Sequence, residues 1–331
     1  MLSKVMIKGI AVYHPDDCVS NEKYFKHFEK QGKDIRHLYE DVYGREYRYE
    51  IHNEGKPKEE QENTLTMEIK VAKKLLKQLN MSGDEVDGLI IANQIPEYFV
   101  PNDGILVHHA IGANKNCFTY DVNCNCEAMV MSMLNGMFFL DNSPKMRNIL
   151  VVGGDYLTQS HDPDNEMFYG CFGDAACAIM LTKTEETRLL DYEFFTQLDE
   201  PRNILYPGCG FSNIPKGVDT LTVSSPVSVD LELTVQRFKD ILERNNLTID
   251  DIGGCCFGQF VKKNLAYVKE QLGIRDGIMP FVGDRYGYTG VSSPYLAFNE
   301  LVEKNAIKRG DYLLVWTHGA GIQHVISLIQ Y

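Results

Sequence analysis

Residues 118–140, FTYDVNCNCEAMVMSMLNGMFFL, constrain the fold of this chain more than any other stretch. Phe118, Tyr120 and Val122 alternate as strand residues do, whereas Ala128, Met129, Val130, Met131, Met133, Leu134, Met137, Phe138, Phe139 and Leu140 surround a helix on nearly every side. A helix that is apolar all round is a buried one, so this is expected to be a central helix. Cys126 stands at the junction of strand and helix. A helix N-terminus supplies partial positive charge and free N–H groups, which favour a thiolate over a thiol. Cys126 is therefore the candidate nucleophile, set against the general rule that a buried cysteine is packing.

The remaining elements follow from the same periodicities. Strands are expected over residues 5–13, 86–93, 148–153 and 175–182, with helices over 21–31, 64–80 and 101–111. Residues 33–62 are charged and aromatic with little periodicity, and their end reads as a solvated loop. Beyond residue 184 the spacing predicts strands over 188–198, 252–257, 312–317 and 322–329, and helices over 231–245, 261–272 and 295–305; residues 203–217 form a Pro/Gly-containing loop. Strands apolar on both faces, alternating with helices, indicate α/β sheets covered on both sides. At 331 residues the chain suits two packed halves, 1–184 with the nucleophile and 185–331, whose similar element order is what a duplicated fold gives.

Charge and cysteine usage narrow the function classes. Lys and Arg number 33 against 46 Asp and Glu, a net charge of −13, which argues against nonspecific binding to nucleic acid or an anionic membrane. The opening MLSKVMIKGIAVYHP reads as a strand and not a signal peptide, and no apolar run reaches membrane-spanning length. Nine cysteines, an odd number without CxxC or Cys/His zinc spacing, suit reduced thiols in a cytoplasm, with Cys255 and Cys256 in the core. No metal and no cofactor are expected.

DVNCNCEAM resembles the nucleophile motif of the type III ketoacyl synthases of the thiolase superfamily, in a register that makes Cys126 and not Cys124 the acyl acceptor. NILVVGGDYLTQSHDPDNE, CFGDAACAIML and HGAGIQHVISLI resemble further segments of that family, in the same order. The resemblance implies a thiolase-like, duplicated five-layered αβαβα fold, a homodimer built on a continuous sheet, and thioester substrates on CoA or acyl carrier protein. It also implies an oxyanion hole from the backbone N–H groups of Cys126 and Ala320.

The family's other catalytic residues are a His within His-Gln-Ala-Asn and an Asn within Gly-Asn-Thr, which hold the thioester carbonyl of a malonyl donor as it loses CO2. Here the corresponding segments read CCFGQFVKKN and YGYTGVSSP, so Gly258 stands at the His position and Tyr288 at the Asn position. Loss of one such donor costs about 10²- to 10³-fold in rate, so ordinary decarboxylative condensation is not expected. His318 is the candidate replacement base and Tyr288 a candidate hydrogen-bond donor; His324 is read as structural and His108–His109 as dimer-interface packing. The family's adenine-sandwiching Trp and Arg fall at Leu38 and Glu166, which favours a carrier protein over CoA, and Lys262 and Lys263 stand where the family meets its acidic carrier. The expected function is an acyltransferase that loads Cys126 from a thioester. Two alternatives stand beside it: a non-catalytic partner subunit of a heterodimeric ketosynthase, and a true 3-oxoacyl carrier-protein synthase in which His318 and Tyr288 act as substitutes.

Overall fold

The computed structural model describes residues 3–197, 199, 201–216, 221–225 and 228–331. The first sheet is built from β1 (Val5–Tyr13), β4 (Gly88–Ala92), β5 (Phe118–Val122), β6 (Asn148–Asp155) and β7 (Ala175–Lys183), in the order β1-β7-β6-β4-β5. A hairpin-like pair, β2 (Cys18–Ser20) and β3 (Tyr47–Tyr49), stands apart from it, and α1 (Asn21–Glu29), α2 (Thr64–Gln78), α3 (Asp103–Ile111) and α4 (Ala128–Asn142) connect the strands. The second sheet has the order β11-β12-β13-β8, from β8 (Leu189–Thr196), β11 (Ile252–Phe257), β12 (Tyr312–His318) and β13 (Gln323–Gln330). Its helices are α5 (Leu231–Arg244), α6 (Lys262–Leu272), the short α7 (Gly283–Tyr286) and α8 (Ser293–Glu303); β9 (Ile204–Leu205) and β10 (Val223–Ser224) form a small separate ladder. The strand expected over 188–198 ends at Thr196, and its expected last residue, Leu198, lies outside the described residues, as does Gly217 at the end of the Pro/Gly loop.

Five layers result. On β7, Ala175, Cys177, Ile179 and Leu181 enter a central core with α4 and α8, while Ala176, Ala178 and Met180 enter an outer core with α2. The strand is buried on both faces, which is why it reads as an unbroken apolar run. Cys256, Leu313, Val315 and Val325 face the same central layer from the second sheet, and Cys255, Leu314, Trp316 and Ile326 face α5 and α6 on its far side. The order is thus helices, sheet, helices, sheet, helices: the thiolase-like αβαβα architecture. α4 lies close to its sheet because Gly136 faces it, and a Cβ there would come within 2.6 Å of Leu181 Cδ1.

Residues 33–62 are more ordered than their composition predicts. They contain a π-helical turn, Leu38–Tyr43, and bury Tyr39, Tyr43, Arg45, Arg48 and Ile51. Arg45 is tolerated in the interior because its guanidinium donates to Tyr43 O (2.9 Å) and to four distant backbone carbonyls, including Cys171 O (3.0 Å) and Gln259 O (2.9 Å). Glu59, Glu60 and Gln61 at the end of the stretch are exposed, as a solvated loop requires.

Candidate active site

β4, β5 and β6 run parallel, so their carboxyl ends open on one side of the first sheet, the place where parallel sheets characteristically present functional groups. Gln94 follows β4, Cys126 lies in the turn after β5, and Asp155 closes β6. From the second sheet, Gly258 follows β11 and His318 closes β12. Asn125 takes φ +51°, a left-handed conformation that Asn tolerates better than most side chains, and so turns the chain sharply before the nucleophile. Its Nδ2 donates to Ala320 O (3.2 Å) and its carbonyl accepts from Ala128 N (3.0 Å), which ties the cysteine turn both to the Gly-rich loop and to α4.

Cys126 Sγ lies 3.6 Å from Gln94 Oε1 and is hydrogen-bonded by the Tyr288 hydroxyl. Gln94 is fixed in turn by Asp155, which accepts from Gln94 N (2.7 Å), Gln94 Nε2 (3.0 Å) and Ile95 N (3.2 Å). The thiolate expected from helix placement is not favoured. α4 begins at Ala128, beyond Cys126, and burial pushes the thiol up to about 12 even though the Tyr288 bond works the other way. A helix end contributes only about 0.3–1 kcal/mol, less than the loss of hydration takes away.

Glu127, which sequence reasoning missed, adds to this. It is 1% exposed, both carboxylate oxygens lack a hydrogen-bond partner among the described residues, and burial pushes it up to about 8. It rests on the Gly-rich loop: a Cβ at Gly319 would lie 1.9 Å from Glu127 Oε2. The available signal was an acidic residue at the start of an otherwise apolar helix, directly after the cysteine.

Cys126, Tyr288, His318 and Ala320 line one cavity of about 200 Å³, walled on its apolar side by Leu157, Phe168, Phe172 and Phe260. Among the described residues, no Asp, Glu, Lys or Arg lines it. His318 is neutral, because burial pushes its imidazole down to about 4, and its Nδ1 has no partner among the described residues. In the Gly-rich loop the amides of Gly319, Gly321 and Ile322 donate to Gln323 O, Asn203 Oδ1 and Gly319 O (2.9, 2.8 and 3.0 Å), whereas the Ala320 amide donates to nothing among the described residues. Gly258 lies outside this lining; a Cβ on it would meet Thr317 Oγ1 at 2.7 Å.

The other singled-out residues are spread around this centre. Lys262 and Lys263 are exposed on the first turn of α6, between the cavity-lining Val261 and Asn264, and the Lys262 ammonium sits 5.6 Å from the Phe281 ring centroid. Leu38 packs in the π-helical turn against the aromatic cluster around Tyr39, while exposed Glu166 pairs with Lys33 (3.5 Å). His324 is buried, stacked on Phe195 (4.1 Å between centroids) and bonded by Trp316 Nε1 (3.3 Å). His108 and His109 lie on α3, where His108 Nε2 bonds Asn114 O (3.1 Å). All nine cysteines are free thiols, with Cys255 and Cys256 fully buried. No helix of the described residues is long and apolar enough to cross a membrane.

Comparison with known proteins gives a consistent relationship. Residues 120–197 match the family model for 3-oxoacyl-[acyl-carrier-protein] synthase III, and residues 242–331 match the model for the C-terminal part of the same synthase. The chain is 29% identical to the beta-ketoacyl-[acyl-carrier-protein] synthase III of Clostridium novyi (strain NT) over 347 residues, covering 99% of both chains. It is 24% identical to that of Clostridium perfringens (strain SM101 / Type A), covering 99% of this chain and all of the relative. Among solved structures, 3-oxoacyl-[acyl-carrier-protein] synthase III from Aquifex aeolicus VF5 superposes with a TM-score of 0.83 at 20% identity, over 99% of this chain and 100% of that one. The priming beta-ketosynthase of the R1128 polyketide pathway superposes with a TM-score of 0.86 at 17% identity, over 99% and 96%. With two family models spanning about half of the chain, and relatives matched almost end to end, the chain belongs to the 3-oxoacyl-[acyl-carrier-protein] synthase III family.

Proposed function

We propose that this family member is an acyltransferase that forms a thioester on Cys126 and does not carry out the standard decarboxylative condensation. The observation that carries this reading is a largely apolar cavity, without a charged side chain among its described lining residues, ending on a thiol that the Tyr288 hydroxyl hydrogen-bonds. Such a cavity holds an acyl chain and excludes water from the thioester. In the proposed step Cys126 Sγ attacks the donor carbonyl, the sulfur–carbon bond forms, and the donor thiolate departs. The thiol proton is relayed through the neutral His318 imidazole to the departing sulfur in the same step as bond formation, so that neither a free thiolate nor an imidazolium accumulates. The amides of Cys126 and Ala320 hold the tetrahedral oxyanion, and the Tyr288 hydroxyl stabilises negative charge on the nucleophile. The acceptor of the acyl group is an amine, alcohol, thiol or carbon nucleophile.

The donor is proposed to be an acyl carrier protein. Exposed Lys262 and Lys263 flank the cavity mouth and offer an acidic carrier a docking point on a chain of net charge −13, while Leu38 and Glu166 provide neither ring stacking nor positive charge for an adenine.

Intact-protein mass spectrometry tests this reading, using a panel of acyl-CoA and acyl-carrier-protein thioesters with a Cys126→Ala control. The expected result is a mass gain of one acyl group that the control lacks. A second reading, a non-catalytic partner subunit, is favoured by Gly258 and Tyr288 at positions where the family carries its His and Asn. It predicts no mass gain with any donor and a stable complex with a paralogous synthase.

A further inference from the structure

Among the described residues His161 is the one histidine on the apolar side of the cavity, and nothing in the acylation chemistry above uses it. It is 7% exposed, and its ring leans over Phe172 (4.3 Å between centroids, tilted 50°) with Phe168 behind (6.4 Å). Neither ring nitrogen makes a hydrogen bond among the described residues, although the side chain lines the open space. Burial pushes the imidazole down to about 3, so at neutral pH one nitrogen donates and the other accepts. Its ring nitrogens still reach the open space of the cavity, so the cost of about 1–3 kcal/mol for a polar group left without a partner falls due only when an apolar chain fills that space and excludes water. Asn203, 2% exposed and lining the same cavity, spends its Oδ1 on Gly321 N (2.8 Å) and leaves Nδ2 without a partner among the described residues.

The position of this polar spot relative to the thiol can be followed from ring to ring. Tyr288 bonds Cys126 Sγ, its ring packs on Phe172 (5.5 Å between centroids), and Phe172 packs on His161. Two aromatic rings, Tyr288 and Phe172, therefore separate His161 from the thiol. Among the described residues no cation lines the cavity to receive a carboxylate, so the matching group is uncharged.

We propose that His161 determines specificity: the cavity takes an acyl group with an apolar body and an uncharged oxygen, a hydroxyl or a keto group, far from the thioester carbon. This rests on the acyl-enzyme reading. An alkyl chain without that oxygen leaves His161 unpaired in a dry pocket, the situation in which polar sites discriminate most strongly.

The test compares medium-chain alkanoyl thioesters with their ω-hydroxy and ω-oxo counterparts, following acylation of Cys126 by intact mass in the wild type, His161→Phe and His161→Asn. The wild type is expected to prefer the oxygenated donor by about tenfold or more, as a buried unpaired group implies; His161→Phe reverses the preference, and His161→Asn restores part of it. Equal ratios in wild type and His161→Phe overturn the proposal, which is also the result expected if His161 serves only to hold a water. A second arm does not depend on acylation: calorimetric titration of medium-chain alcohols and alkanes of equal length into the Cys126→Ala protein, with and without His161→Phe. Selective loss of alcohol binding in the double variant supports the proposal even if no thioester loads Cys126, and equal binding in the two proteins overturns it.

Discussion

At Cys126 the Tyr288 hydroxyl and the Glu127 carboxyl act in opposite directions. The tyrosine stabilises a thiolate, while the neighbouring carboxylate, once ionised, opposes it. Tyr288→Phe removes the favourable partner; with hydrogen bonds to charged groups worth about 1.5–3 kcal/mol, alkylation of Cys126 by iodoacetamide is expected to slow by about tenfold or more at fixed pH. Glu127 has a consequence for stability. Its folded-state value is raised from 4.5 to about 8 by burial, so the folded protein holds a proton that the unfolded chain has already released. The cost of ionising it is absent below about pH 4.5, grows above it, and reaches its full value above about pH 8. Glu127→Gln should therefore gain stability relative to wild type as pH rises across that window, and denaturant titrations at pH 6 and pH 9 check the sign. Neither effect was legible in the sequence. A carboxylate is ordinarily solvated, and only the Gly319 loop, far away along the chain, closes over this one.

Elements were far more legible than their special residues. β1 and β11 have the limits that alternation or apolar runs predict, because each is paired on a sheet whose faces are covered. The stretch 33–62 was not legible: Arg45 is held by carbonyls from residues 171, 259, 260 and 283, and no local period encodes partners so remote. The end of β11 carries a prediction of its own. Since even a Cβ at Gly258 meets Thr317 Oγ1 at 2.7 Å on neighbouring β12, the glycine and the threonine form a matched pair. Gly258→His alone is expected to lose stability by about 1–3 kcal/mol through overpacking and to gain no malonyl decarboxylation, whereas adding Thr317→Gly relieves the loss. Urea unfolding of the single and double variants measures the coupling.

On the scale of the whole molecule, the first sheet ends on β5, paired on one side only, and all five of its residues are half-buried. Phe139 of α4 packs on Phe118 and Tyr120 of that strand, and Phe99, Val100 and Ile105, at 61%, 90% and 48% exposure, precede or lie on α3, which packs on β5. An open edge flanked by apolar side chains is a surface that associates. We expect a homodimer through this edge: sedimentation equilibrium should give twice 37.6 kDa, and Val100→Asp should shift the population toward monomer.

Among the described residues the cavity behind Cys126 has no ionised wall, and the lysines outside it are exposed. Dissolved ions screen exposed charges within about 10 Å at 0.1 M and act little on an uncharged interior. The two stages of substrate capture are thereby separated by the solvent itself: raising ionic strength weakens the docking of a charged carrier while leaving the fit of its cargo untouched. A small uncharged thioester, with no carrier to dock, passes the same doorway at any salt concentration.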